Sequence, residues 1–503
     1  MTRDTIDRHE AAIREATDGF EVTAWIDGTA HSAESGETFP TIDPAVGLQI
    51  TSVPRCGAAE VDAAVRAASD AQSAWAALAP DERADRVTAF ADALRDEADH
   101  LARLEALDTG KPEAFADAEI REGLEYLDYY ADLVASEAHE HTPVDGETHA
   151  YTRHEPYGVA GLIVPWNYPV LLTCWKLGPA LAAGNSVVLK PAEGTPLTAT
   201  RMAQVASEVL PDGVVNVVHG YGTEAGAALT THEGVDKLSF TGEDTTGEEI
   251  MSAAASNITP VTLELGGKSP LIVFPDADLE RAAATAAEGI FYNAGQSCDA
   301  LSRTLVHEDV HDEFLGLFQE AREDWVIGDP LEEGTTVGSL ASADQFEKVS
   351  TYAELGTDIA ELVAGGGPPD SPPSDDGWYF EPTIFDGVSN DSRLAQEEIF
   401  GPVASVVTFA DYEEAITLAN DVPYGLASSV ATQDLSLAHR AAADIEAGTV
   451  WVNDYARFSP GLSFGGYKRS GIGRECGPEA LEEYRQSKTI SMAIGTTDFD
   501  SLS

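Results

Sequence analysis

From about residue 58 to residue 138, apolar positions recur every three to four residues among alanines and charged side chains, as over 61–75 and 84–101. That is the period of amphipathic helices burying one face, and several helices are predicted here. After Tyr151 the pattern changes to short β-branched runs, at 159–164, 187–189, 214–218 and 271–274, separated by Ala-rich helical segments. Runs apolar on both faces that alternate with helices predict parallel sheets with crossover connections, an α/β fold. A second series follows Cys298, at 304–306, 403–409 and 448–452. The Gly- and Pro-rich stretch 365–374 predicts a surface loop. No repeat period is visible, which argues against solenoids and propellers.

Length and charge narrow the picture. A chain of 503 residues, 43% of them hydrophobic, is long enough for two or three domains. Its longest apolar runs are far too short to cross a bilayer. The N-terminus has neither the apolar core of a secretory signal nor the Arg-rich, acid-poor character of a transit peptide, so a cytoplasmic protein is expected. The 87 Asp and Glu against 29 Lys and Arg give a formal net charge of -58, which repels nucleic acid and anionic membranes; neither is expected as a partner. These acids are spread along the chain, the pattern of a solvated surface rather than of a docking arm. Such self-repulsion is tolerable at molar salt, where screening acts within about 3 Å, and a halophile's cytoplasm is inferred. Cys56, Cys174, Cys298 and Cys476 form no CxxC pair, so neither a disulfide framework nor a metal site is suggested.

Three separated segments carry candidate chemistry. In 291–298 a small, polar, Gly-containing approach leads to Cys298, leaving the thiol accessible to add to an aldehyde; a lone cysteine reads equally well as a buried structural one. In 262–270, Glu264 ends an apolar strand just before Gly266 and Gly267, a place suited to a raised pKa and base work, or to a salt-bridged edge residue. In 164–169 a strand ends in a Pro-rich turn holding Asn167, whose amide can complete an oxyanion hole or merely form the turn. Together they supply the nucleophile, base and oxyanion donor that acyl chemistry requires.

These blocks, with Phe240-Thr241-Gly242, 396–402, 451–453 and 464–471 in the same order, resemble the aldehyde dehydrogenase superfamily from Trp25 to about Lys488. The resemblance implies that fold: two Rossmann-like parallel-sheet domains plus a small β oligomerisation arm. Its boundaries would be 1–138 and 158–266 for an NAD-binding domain, 267–470 for a catalytic domain, and 139–157 with 478–503 for the arm. It implies NAD-dependent oxidation of an aldehyde to its carboxylate, with Cys298 as nucleophile, Glu264 as general base and Asn167 as oxyanion donor. Lys176 and Glu475 would be a proton-relay pair behind the base, although either can be a plain surface charge. Lys190 and Glu193 would reach the adenosine ribose, where a carboxylate favours NAD over NADP. Glu398 would hold the nicotinamide ribose with Phe400 beside the ring, and Pro165, Trp166, Phe240, Gly242 and Leu265 would complete the cofactor site.

One departure stands out: Glu243-Asp244 replace the Ser usual after Phe-Thr-Gly, at a helix N-terminus facing the diphosphate, and Glu243 is expected to point to solvent. Tyr168, Trp175, Tyr292 and Phe464 would line the substrate tunnel, with Tyr455 and Phe458 nearby. Such a cage suits an apolar aldehyde or, through cation-π attraction, a trimethylammonium one. Residues 451–466 and 482–488 are similar to bacterial betaine-aldehyde enzymes. Other readings stay open: a relative that acylates coenzyme A or reduces an acyl phosphate, which generally lacks the base, and a catalytically silent homologue. A homodimer or homotetramer follows from the resemblance alone.

Overall fold

The computed structural model describes residues 2–137, 141–145 and 147–494. Its first sheet has eight strands in the order Thr29–His31, Ala24–Ile26, Val215–Val217, Ser186–Lys190, Val159–Ile163, Lys237–Thr241, Val261–Glu264 and Gly471–Ile472. The middle of this sheet is parallel and its edges are antiparallel. Every residue of Val159–Ile163, Ser186–Lys190 and Lys237–Thr241 is buried, which is why these strands read as unbroken apolar runs. A second sheet of seven strands, parallel except for Glu361–Ala364 at one edge, is drawn from Pro270–Val273 and the segments that follow it. The chain passes from one sheet to the other between Glu264 and Pro270.

The periodic stretch 84–101 is not one helix. It divides into Pro80–Asp96 and Ala98–Thr109 at Glu97, whose φ of -102° and ψ of 3° leave the helical range. Glu97 Oε1 accepts a bond from Arg201 at 2.7 Å, so a tertiary contact holds the break. Helix Glu113–Ala135 packs against helix Pro169–Ala183 in the largest core cluster. The latter begins with Pro at its first turn, where no amide donor is needed, and stops at Gly184 in the left-handed conformation.

Arg485–Ala493, Thr148–Pro156 and His141–Asp145 form a separate three-stranded antiparallel sheet, falling within the expected arm. The calls on residues 139, 140, 146 and 495–503 of the arm, and on 1 and 138 of the cofactor domain, lie outside the described residues. Helix Thr2–Ala16 is anchored through His9, buried between Asp43 at 2.5 Å and Asp329 at 2.8 Å. The stretch 365–374 is irregular, as its composition predicts. No helix among the described residues is long and apolar enough to cross a membrane.

Candidate active site

The C-terminal ends of four neighbouring parallel strands meet on one side of the first sheet. Lys190 ends Ser186–Lys190, the turn 164–168 follows Val159–Ile163, Thr241 ends Lys237–Thr241, and Glu264 ends Val261–Glu264. Side chains from adjacent strand ends converge there because parallel strands all point the same way, the usual location of ligands in open α/β sheets.

Cys298 reaches this edge from the second sheet's side. Helix Leu279–Phe291, started by Asp278 capping the Arg281 amide, ends at Tyr292. Asn293, Ala294 and Gly295 then take positive φ values of 50°, 52° and 71° in succession. Gly295 is required: a Cβ there would lie 2.2 Å from the Gly401 carbonyl oxygen. Two non-glycine residues in that conformation each cost about 1–3 kcal/mol, so the turn needs support. The Asn293 amide donates to the carbonyls of Asn167 and Gln296, each at 3.2 Å. Asn167 Nδ2 donates to the Gln296 carbonyl at 3.0 Å, and the Ala341 amide donates to Gln296 Oε1 at 2.9 Å. Asn167 therefore ties its own turn to the cysteine loop while its second amide hydrogen stays available.

Two cavities meet at the thiol. A cleft of about 140 Å³ is lined by Pro165, Trp166, Asn167, Gly242, Glu264, Glu398 and Phe400 with Cys298. An aromatic cavity of about 220 Å³ is lined by Tyr168, Trp175, Tyr292 and Phe464 with Cys298. Among the described residues Cys298 is the lining residue common to both.

Burial pushes the Cys298 thiol well above its ordinary range, and the nearby Asp299, Glu398 and Glu264 carboxylates add to the shift. The thiol is thus held protonated and needs a base. Glu264 is buried, with neither carboxylate oxygen hydrogen-bonded among the described residues. Burial, and secondarily the charge of Glu475, raise its carboxyl well above the usual range, partly countered by Lys176 and Arg474. Space for it comes from Gly465, at φ 154°, where a Cβ would stand 2.7 Å from Glu264 Oε1. Lys176 and Glu475 are not surface charges: both are buried, Nζ to Oε1 is 2.5 Å, and Lys176 also donates to Ser239 at 3.0 Å.

Within the cleft, Glu398 accepts the Gly267 amide at 2.8 Å. Burial pushes its carboxyl up to about 7, against the pull of the Gly267 N–H and of Lys348 and Lys268. Phe400 has a φ of 61° and stands edge-on to Trp166 at 5.2 Å. Gln345 Nε2 fixes that turn by donating to the carbonyls of Ile399 and Phe400 at 3.1 and 2.6 Å. Gln345 and Lys348 line the cleft without having been singled out in the sequence, and Thr241, quoted only as part of the Phe240-Thr241-Gly242 block, lines it too. Lys190 and Glu193 pair at 3.0 Å next to the turn at Gly222, which also bonds the Glu193 carboxylate.

Of Phe240 and Leu265, only the backbone is left to face the cofactor. Both side chains belong to the hydrophobic core beneath the cleft, where Phe240 packs under Gly242 and Leu265 under Gly247, and neither lines it. Glu243 is exposed at the cleft rim, as expected. Asp244 is turned to Arg469 at 2.9 Å.

In the aromatic cavity, Trp175, Phe458 and Phe464 contact one another with ring centroids 5.3 to 5.7 Å apart. Lys111 Nζ stands 4.2 Å from the Tyr168 ring centroid, and the Tyr292 hydroxyl donates to Glu119 at 2.7 Å. Cys174, though adjacent to Trp175, packs against Gly123 in the core instead of lining the cavity.

The aldehyde dehydrogenase family model matches residues 31–490. An aldehyde dehydrogenase of Emericella nidulans is 44% identical over 468 residues, 92% of this chain and 93% of that one. Among solved structures, an indole-3-acetaldehyde dehydrogenase in complex with NAD+ superposes with a TM-score of 0.94 at 44% identity, covering 96% of this chain and 99% of that one. A betaine aldehyde dehydrogenase from Staphylococcus aureus, also with NAD+, gives 0.94 at 37% identity, over 96% and 97% of the two chains.

Proposed function

The chain belongs to the aldehyde dehydrogenase family and is an NAD-dependent enzyme of that family, and from this premise we propose that it works through a covalent thioester on Cys298. The observation that carries this reading is the position of Cys298 at the junction of the two cavities, within reach of one ligand from each side.

The cleft fits the cofactor. Glu398 offers an acceptor for ribose hydroxyls, Trp166 and Phe400 offer flat apolar surface, and Thr241 Oγ1 is buried in the lining without a partner among the described residues; outside the lining, the Lys190–Glu193 pair offers a donor and an acceptor for the second ribose. When bound, NAD supplies the hydride acceptor. The remaining work falls to the chain. Glu264, which lines the same cleft, takes the Cys298 thiol proton and passes it to solvent; Sγ adds to the aldehyde carbon, and the oxygen takes the Asn167 amide and the Cys298 backbone N–H. Loss of hydride leaves a thioester. Glu264 then accepts a proton from water as it attacks the thioester carbon, and the carboxylate leaves with the thiolate restored. The charges of Lys176 and Glu475 act on Glu264 in opposite directions and tune the pH at which it acts. The presence of Glu264 favours water over coenzyme A or phosphate as the acyl acceptor, and the intact trio argues against a silent homologue.

The acidic surface supports a high-salt cytoplasm as the working environment, and the three-stranded sheet, with His141–Asp145 exposed throughout, supports an arm for homo-oligomerisation. The direct experiment is NADH formation with a panel of aldehydes, betaine aldehyde included, in molar KCl at mildly alkaline pH. Turnover that disappears in Cys298→Ala is expected; turnover that survives it refutes the proposal.

A further inference from the structure

Four carboxylates line the aromatic cavity: Glu119, Glu122, Glu288 and Asp299. No Lys, Arg or His side chain among the described residues lines it. Two of the four are accounted for locally. Glu119 is bonded to the buried Lys111 and to the Tyr292 hydroxyl, and Lys111 is itself shared with Glu105 at 3.3 Å, so that cation is already outnumbered. Glu288 is exposed and lies near Arg457, which is taken up by Asp454 at 3.0 Å.

Asp299 and Glu122 are left. Asp299 is only 4% exposed. Burial raises its carboxyl, against the Ser297 and Tyr455 hydroxyls that favour the charged form; Oδ1 takes the Ser297 hydroxyl at 2.5 Å, while Oδ2 is buried without a direct hydrogen bond among the described residues. Glu122 Oε1 is likewise buried without a partner among the described residues. The thioester chemistry uses neither. Burial raises both carboxyls, because a charged oxygen left buried and unpaired is unfavourable; a cationic ligand that brings N–H donors would supply the missing partners and favour their ionised form. The surrounding rings of Trp175, Phe458 and Tyr455 add attraction for a cation.

We propose that the cavity selects short aldehydes whose far end carries a primary ammonium, its N–H groups donating to Asp299 and Glu122. This rests on Cys298 being the nucleophile that fixes the aldehyde end. A trimethylammonium group gains from the aromatic rings but has no N–H, so it leaves both carboxylate oxygens unpartnered. A neutral alkyl end gains from neither charge nor hydrogen bond.

The test compares kcat/KM for 3-aminopropanal, 3-(trimethylammonio)propanal and butanal with saturating NAD in one buffer, for the natural chain, Asp299→Asn and Glu122→Gln. The amino compound should exceed butanal by roughly ten- to hundred-fold, the size of a charge-assisted hydrogen bond. That ratio should fall about ten-fold in either variant, with butanal turnover reporting that Cys298 still works. Glu122→Gln lies off the cysteine loop and carries the test if Asp299→Asn does not fold. Butanal used as well as 3-aminopropanal, ratios unchanged in folded variants, or the trimethylammonium compound in the lead would each overturn the proposal. Absence of NADH with all three aldehydes would instead overturn the thioester reading, and this inference with it.

Discussion

Lys176 and Glu475 form a buried ion pair, 2.5 Å between Nζ and Oε1, and Glu475 exchanges both backbone hydrogen bonds with Phe464 in the wall of the substrate cavity. One residue thus joins the groups behind the proposed base to the surface that would hold the aldehyde.

The pair sets the sign of two pH shifts. Glu475 raises the Glu264 pKa and Lys176 lowers it. Lys176→Met should therefore move the acidic limb of the kcat profile to higher pH, and Glu475→Gln should move it to lower pH. Lys176→Met also leaves a buried charge unpaired, at a cost of about 3–5 kcal/mol in stability. Shifts in the same direction for both variants would contradict the coupling.

His9 supplies a pH-dependent staple between helix Thr2–Ala16 and the Asp43 and Asp329 carboxylates. Burial alone would lower its pKa, but the bonds to Asp329 and Asp43 outweigh that and push it up to about 9. A pKa raised above the unfolded value of about 6.5 means stability fully present below pH 6.5 and lost as pH rises through 9. The amount is on the order of 3 kcal/mol. The apparent Tm of His9→Gln should fall furthest below the natural chain's under pH 6.5, and the gap should close above pH 9. A gap independent of pH would show His9 uncharged.

Legibility in the sequence followed the range of the interactions. Cys298, Glu264 and Asn167 were each ambiguous alone and stood out only together, as nucleophile, base and oxyanion donor at strand ends and turns. The parallel strands were readable because burial on both faces leaves unbroken apolar runs, although Val215–Val217 and Thr449–Val452 are shorter than those runs. The helix break at Glu97 was not readable, since the Arg201 that holds it is 104 positions away. Gln345 and Lys348 lie on helix Ala343–Ile359, whose polar spacing resembles any surface helix; only packing against Phe400 brings them to the cleft. The side chains of Phe240 and Leu265, assigned to the cofactor site through the resemblance, turn to the core, a packing that the motif alone does not reveal. Asp299 did leave a signal: a carboxylate directly after the nucleophile.

At the diphosphate end of the cleft, Glu243 is exposed and Asp244 is held by Arg469. Glu243→Ser should change the KM for NAD less than about two-fold at any salt concentration, the size of a screened surface charge. Arg469→Ala frees Asp244 at the start of helix Asp244–Ala254 and should raise that KM roughly three- to ten-fold at low salt, less at high salt. A large gain in affinity for Glu243→Ser would show that its carboxylate faces the cofactor.

The net charge of -58 makes a separate prediction about stability. Raising KCl from about 0.1 M to 2 M should raise the thermal midpoint by on the order of 10 °C, through screening of repulsion over the whole surface. A midpoint indifferent to salt would remove the argument for a high-salt environment.

The central claim is a thioester on Cys298 that Glu264 hydrolyses. Its most direct test is Glu264→Gln mixed with NAD and an aldehyde at alkaline pH, following NADH by stopped flow and the intact protein by mass. The account predicts a rapid burst of NADH, then turnover slowed by roughly 10²–10⁴, with the acyl group retained on Cys298. Undiminished turnover in Glu264→Gln, or a burst that leaves no acyl mass on Cys298, would contradict it.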